Sequence, residues 1–189
     1  MVVGVIDQWF LRTHGRHPGY GDVKVGTLDN PGWQLLVLLP DSPPDREIMR
    51  CDANDPGDTW VNVRVRGGIF EAHSGPRQLG QLIRHLLAYP GLPDDARATE
   101  DWIERLIEWY MSRCDGDWEN EGGVEIIPRG DNWRLSIDHY YWPVPQYTAP
   151  PGTSLRRVSN VVEVEGSFHS LTEFIVQLRP LPPGTEPQS

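Results

Sequence analysis

The sequence is short of lysine, of cysteine and of long apolar runs, and each shortage excludes something. Lys24 is the only lysine, and Arg supplies the other sixteen of the 17 bases; no function is drawn from that bias. Cys51 and Cys114 are the only two cysteines and have no CxxC spacing, which excludes a disulfide scaffold and a thiolate zinc site. Two reduced thiols in a cytoplasmic protein are expected. No stretch approaches the roughly 20 apolar residues that a membrane helix needs. The start, Met1–Asp7, lacks a basic segment and a small-residue cleavage site, so no secretory signal is expected. Positive charge is scarce overall: 27 acids against 17 bases leave −10, which argues against nucleic-acid binding by the chain as a whole. There is also no Gly-x-Ser-x-Gly elbow, phosphate loop, dinucleotide fingerprint or His-Glu-x-x-His.

What is present is aromatic and acidic. The 189 residues suffice for one large domain or two of about 90 residues each. Eight Trp give the 38% apolar content more core than its size implies, since a buried Trp can remove about 150–250 Å² from water. Between Glu100 and Glu125 nine acids face only Arg105 and Arg113, leaving −7 in 26 residues. Such a run is either a solvated face or a docking surface for a basic partner.

The chain repeats itself. Trp9-Phe10 is echoed by Trp109-Tyr110 and Trp33 by Trp133, each 100 residues later. Further on the offset is 92, pairing Glu71 with Glu163, Leu79 with Leu171, Leu82 with Phe174 and Ile83 with Ile175. The difference is the kind of loop shortening that a surface tolerates. The expected organisation is a first repeat over 1–90, a linker over 91–99, a second repeat over 100–180 and a disordered tail over 181–189.

Each repeat has one order of elements. A helix opens it, with Val2, Ile6, Trp9 and Thr13 in the first and Trp102, Ile103, Leu106, Ile107 and Tyr110 in the second. A strand pair follows, Val23/Val25 with Trp33–Leu39, and Val124/Ile126 with Trp133–Ile137. Loops rich in Pro and Gly come next, Pro40–Gly57 and Pro143–Gly152, and are expected to interrupt the sheet. Strands Trp60–Arg66 and Ile69–His73, matched by Leu155–Val158 and Val161–Glu165, lead to closing helices on the Leu79 and Leu171 stripes. The pattern predicts an α+β protein: two tandem copies of a helix, a four-stranded antiparallel sheet and a helix, with the helices on one sheet face. Whether the two sheets join edge to edge or pack back to back is open.

The run Trp109-Tyr110-x-x-x-Cys114-Asp115-Gly116-Asp117-Trp118-Glu119, followed by Gly123-Val124-Glu125-Ile126, resembles the opening of the immunity protein 53 family. Thr27-Leu28-Asp29-Asn30-Pro31-Gly32-Trp33 and Gly75-Pro76 are similar to its later landmarks. The resemblance implies a small α+β protein of a bacterial polymorphic toxin system, one that binds a cognate toxin and is not an enzyme. Neither copy holds every landmark: in the first, Thr13-His14-Gly15-Arg16-His17-Pro18-Gly19-Tyr20 stands where the second has its acidic run.

The acidic run sets the choice of site. Asp115, Asp117 and Glu119 do not make an EF-hand, because the twelfth position from Asp115 is Ile126. Turn formation at a helix exit and contact with a partner are both compatible with them. Trp118 is either sheet core or an aromatic anchor for a partner. The candidate partner-binding residues are Asp115, Asp117, Trp118, Glu119 and Glu121, facing a basic protein toxin through charge complementarity. No cofactor, metal, membrane or direct nucleic-acid contact is expected, and a tandem chain of this kind reads as a monomeric pseudo-dimer. The alternative is a small-molecule site or enzyme between the repeats, using His14, His17, Asp22 and His85.

Overall fold

Alternation of apolar and polar residues folds as strands along most of the chain, as a half-buried pleated sheet requires. The computed structural model describes residues 10–12, 14–28, 31–41, 43–50, 59–89, 101–114, 123–139 and 144–182. In chain order the strands are β1 (Val23–Thr27), β2 (Trp33–Leu38), β3 (Arg46–Arg50), β4 (Val61–Arg66), β5 (Ile69–Ser74), β6 (Val124–Arg129), β7 (Asn132–Asp138), β8 (Ser154–Val158) and β9 (Val161–Gly166). The helices are α1 (Leu79–Leu87), α2 (Asp101–Met111) and α3 (Phe168–Ile175). Residues 10–12 are also helical, within the expected opening helix; Trp9 and the linker over 91–99 lie outside the described residues.

All eight strands expected from the sequence form, and a ninth joins them. β3 lies inside the Pro40–Gly57 segment that was expected to be loop. The Pro-rich composition of that segment hides a stretch free of Pro and Gly, Asp45–Asp55, and β3 lies within it. As an edge strand it needs a partner on one side only, and it pairs with β4 across an irregularity between Glu47 and Met49.

The expected pair of four-stranded sheets is likewise corrected to one sheet of nine strands, ordered β3-β4-β5-β2-β1-β6-β7-β9-β8. Every neighbouring pair is antiparallel. The two halves meet edge to edge where β1 pairs with β6, Val25 opposite Ile126 and Gly26 opposite Glu125. Thr27 Oγ accepts the Val124 N–H at 3.0 Å beside this seam. Gly123 permits the approach, because a Cβ there would stand 2.6 Å from that hydroxyl.

The three helices lie on one face of the sheet. α1 packs on β2, β4 and β5, α3 packs on β7 and β9, and α2 lies between α1 and α3. A single core fills the space beneath them, from Val63, Phe70 and Leu82 to Leu135, Val164 and Phe174. Trp33, Trp109 and Trp133 are all buried in it, as their places on apolar stripes predict.

Trp33 fastens the halves together. Its ring meets Tyr110 of α2 edge-on at 5.0 Å, and its indole N–H donates to the Pro76 carbonyl at 2.7 Å. The Gly32 N–H in turn donates to the Tyr110 hydroxyl at 3.3 Å. Only glycine suits position 32, where a Cβ would come within 2.2 Å of the Ser74 carbonyl oxygen. A helix of the second half thus packs on a landmark of the first.

Candidate interaction surface

The period of two that buries one sheet face leaves the other to polar side chains. Arg64, Glu71, His73, Gln34, Lys24, Glu125, Arg134, Glu163 and Arg156 all lie on that open face, where they pair across strands. Arg64 Nε donates to Glu71 at 2.6 Å, and Arg156 Nε to Glu163 at 2.9 Å. Lys24 meets Glu125 at 2.9 Å across the seam between the halves. Such solvated pairs contribute about 0–1 kcal/mol each, so they organise the face more than they hold the fold. Gln34 meets His73 at 3.0 Å, and burial lowers the His73 pKa.

Two hollows among the described residues stand out, one at the rim of the sheet and one on the helix side. The larger, about 480 Å³, lies at the β3–β4 rim and is lined by Asp45, Arg46, Glu47, Arg50, Asn62, Arg64, Val65 and Arg66. It is cationic in an acidic chain, with four Arg against two acids. The smaller, about 280 Å³, is lined by Glu104, Arg105, Glu108 and Val176. Glu104 and Glu108 are exposed on α2, and Arg105 pairs with Glu108 at 2.9 Å.

The five residues expected to contact a partner, Asp115, Asp117, Trp118, Glu119 and Glu121, lie outside the described residues. Of the same run, Glu104 and Glu108 are exposed on α2, and Glu125 lies on β6, paired with Lys24. Of the alternative set, Asp22 is committed to the loop that leads into β1. Its carboxylate accepts the Gly19 N–H at 2.7 Å and meets Arg16 at 2.5 Å. These partners hold its pKa below the usual carboxylate value against the cost of its burial. His14 stacks on Phe10 at 4.3 Å, and burial followed by the nearby Arg16 lowers its pKa. His17 is exposed, and His85 lies on α1. No group of three or more His, Cys, Asp or Glu among the described residues could hold a metal ion.

A buried polar cluster escaped sequence reasoning. Arg113, 6% exposed just past α2, lies over the Trp109 ring at 4.0 Å and donates to the Trp109 carbonyl at 2.9 Å. Burial pulls its pKa down to about 10. Fully buried His139 meets the Tyr147 hydroxyl at 3.3 Å, and burial, aided by Arg113 and Arg157, lowers its pKa to about 4. In the sequence Arg113 counts only as a base opposing acids, and nothing local marks His139 as buried. These groups meet only through the fold.

Comparison with known proteins adds one finding: residues 3–90 match the family model of immunity protein 53. The matched segment holds β1–β5 and α1, and with them the Trp33 landmark and the arginine-lined rim. No curated protein and no solved structure matches the chain significantly.

Proposed function

Residues 3–90 belong to the immunity protein 53 family, and from this premise we propose that the chain neutralises a cognate bacterial toxin by binding it as a protein partner, in the cytoplasm and without catalysis. The family match carries this reading, and the open, charge-studded sheet face supports it as a surface suited to a macromolecule. The acidic arm, the run Glu100–Glu125 with Asp115, Asp117, Trp118, Glu119 and Glu121 as its contacts, is the proposed toxin-facing element. Acid on this arm gives a basic toxin both faster encounter and a preferred register.

We also infer that the two halves are diverged copies. The supports are positional. The pair Arg64–Glu71 recurs 92 residues later as Arg156–Glu163, both across equivalent antiparallel strands. The positive φ of Gly67 recurs at Ser159, also 92 later, in the turn that joins those strands. The strand order β4-β5-β2-β1 is mirrored by β6-β7-β9-β8 about the seam. Single-unit relatives that form homodimers through β1 would strengthen this reading. Single-unit relatives with that edge covered would count against it.

The test of function is co-expression with the toxin encoded beside the gene, followed by pull-down at low and high salt. Protection of the host and a complex weakened by salt are expected. The double variant Asp115→Lys/Asp117→Lys is expected to weaken the complex at least about tenfold, with an unchanged circular dichroism spectrum. Full binding by that folded variant would remove the acidic arm from the interface.

A further inference from the structure

The two ends of the sheet are built alike and finished differently. β8 stands in the second half where β4 stands in the first. Val63, Arg64 and Val65 pair with β5 in the register in which Leu155, Arg156 and Arg157, each 92 residues later, pair with β9. On its other side β4 has a further strand, β3, and β8 has none among the described residues. The cause lies in the sequence. The offset between the halves is 100 at Val37 and Ile137 and 92 at Arg64 and Arg156, so the second half has lost residues across the very segment that forms β3 in the first.

The difference shows in burial. Between β3 and β5, Val63 and Val65 are 0% and 1% exposed. On β8, Leu155 is half-buried against the core, and Arg156, Arg157 and Val158 are exposed. Among the described residues the backbone hydrogen bonds of 155–158 run only to β9. β8 pairs with β9 in unbroken register, so its outer side is a regular row of open N–H and C=O groups. The edge is also of one charge, with two Arg and no acid, in a chain of −10. Arg157 donates to the Ser159 carbonyl at 3.2 Å and has no carboxylate partner among the described residues. Arg156 is paired with Glu163 and still 69% exposed. A second copy of this edge would set Arg against Arg, which disfavours the chain itself as the occupant.

We propose that the outer edge of β8 takes an extended segment of the partner protein as a further antiparallel strand, with acids opposite Arg156 and Arg157 and an apolar residue opposite Leu155. β3 is the template, carried in the same chain. It runs antiparallel to β4 and sets Glu47 opposite Arg64, although Arg64 is already paired with Glu71. It also sets Met49, half-buried against the core, opposite Val63. The matching places on β8 are Arg156, with its partner Glu163, and Leu155. Where β4 has Val65 opposite Arg46, β8 has Arg157, so the residue facing it must change from a base to an acid. Backbone pairing supplies affinity, and the two arginines, on opposite faces of the edge, supply selection. The proposal rests on the toxin-binding reading and names the chemistry of one contact within it. A toxin that is basic overall needs a single acidic strand to make this contact.

The probe is a short fluorescein-labelled peptide with the core glutamate-glutamate-valine between threonines, titrated into the full chain and read by fluorescence anisotropy. Saturable binding is expected, with none for the same peptide carrying lysine in place of glutamate. A peptide of the same side chains with its backbone nitrogens methylated keeps the charge, cannot pair as a strand, and is expected not to bind. Arg156→Glu/Arg157→Glu is expected to weaken binding at least about tenfold, while Arg50→Glu at the opposite end of the sheet leaves it unchanged. Both positions on β8 are exposed, so the double variant is expected to melt within a few degrees of the parent. Arg157→Glu alone breaks no ion pair among the described residues and is expected to weaken binding severalfold, which keeps the test decisive should the double variant not fold. Binding that survives these charge reversals overturns the proposal. So does equal binding of the methylated peptide, or no binding of either. In cells, protection by the parent together with equal protection by Arg156→Glu/Arg157→Glu sinks the edge contact and leaves the immunity reading standing. A parent that binds the peptide and does not protect sinks the immunity reading and leaves the edge as a seat for an acidic strand.

Discussion

Trp33→Ala is expected to cost about 3–5 kcal/mol of stability, the range for removing a large buried aromatic. Trp33 is wholly buried, so its loss opens a cavity where β2, α1 and α2 converge. The Pro76 carbonyl also loses its indole donor in a buried place, a penalty of about 1–3 kcal/mol when no water replaces it. For a protein of this size each kcal/mol moves the melting midpoint by about 2–4 °C, so a drop of about 10 °C or more is expected. Trp33→Phe keeps much of the packing and loses the hydrogen bond, and it should fall between the parent and Trp33→Ala. Differential scanning calorimetry of the three proteins decides the matter. A midpoint for Trp33→Ala within a few degrees of the parent would mean that Tyr110 and Gly32 hold the halves together without it.

Acid should loosen the fold through His139. Its imidazole is neutral and buried in the folded protein, with a pKa near 4 set first by burial and then by the charges of Arg113 and Arg157. The unfolded chain takes up that proton near 6.5. Between these values the unfolded state holds more protons, so stability rises with pH across the window. The contribution is complete above about pH 6.5 and is lost as the pH falls towards 4. At about 1.4 kcal/mol per pH unit the loss amounts to about 3 kcal/mol by the bottom of the window. His139→Phe removes the proton acceptor and retains an aromatic ring beside Trp109 and Tyr147. Urea unfolding at about pH 7.5 and about pH 4.5 is expected to show a smaller acid loss for the variant than for the parent. Carboxylates elsewhere act on both proteins alike, so equal losses would rule out His139 as the acid-sensitive group.

Both effects begin with residues whose surroundings only the fold supplies. Trp33 is legible as a core residue, since it opens the alternation that becomes β2. That Tyr110, 77 positions later, supplies the edge against which it packs is a tertiary fact. His139 follows the last residue of β7, and no local pattern separates it from an exposed loop histidine.

The rim shows the same division. Arg64 and Arg66 read from sequence as the outward side of a strand, which is where they lie. Arg50 sits in a Pro-rich segment whose composition favours loop, and only pairing with β4 places it on the same sheet face. An arginine hollow in a chain of −10 cannot be read from totals, because net charge averages over surfaces that the fold keeps apart.

By itself the sequence determined the α+β class, eight of the nine strands, the stripes of the helices and the resemblance to the family whose model residues 3–90 match. Each of these depends on local period or local landmarks, which survive without knowledge of what packs against what. Tertiary structure decided that β1 meets β6 edge to edge, that α2 lies across the seam against Trp33, and that four arginines converge at one rim. Those outcomes depend on which edges and faces are left unsatisfied once the local elements exist, and burial of backbone and apolar surface settles them only when the whole sheet is assembled.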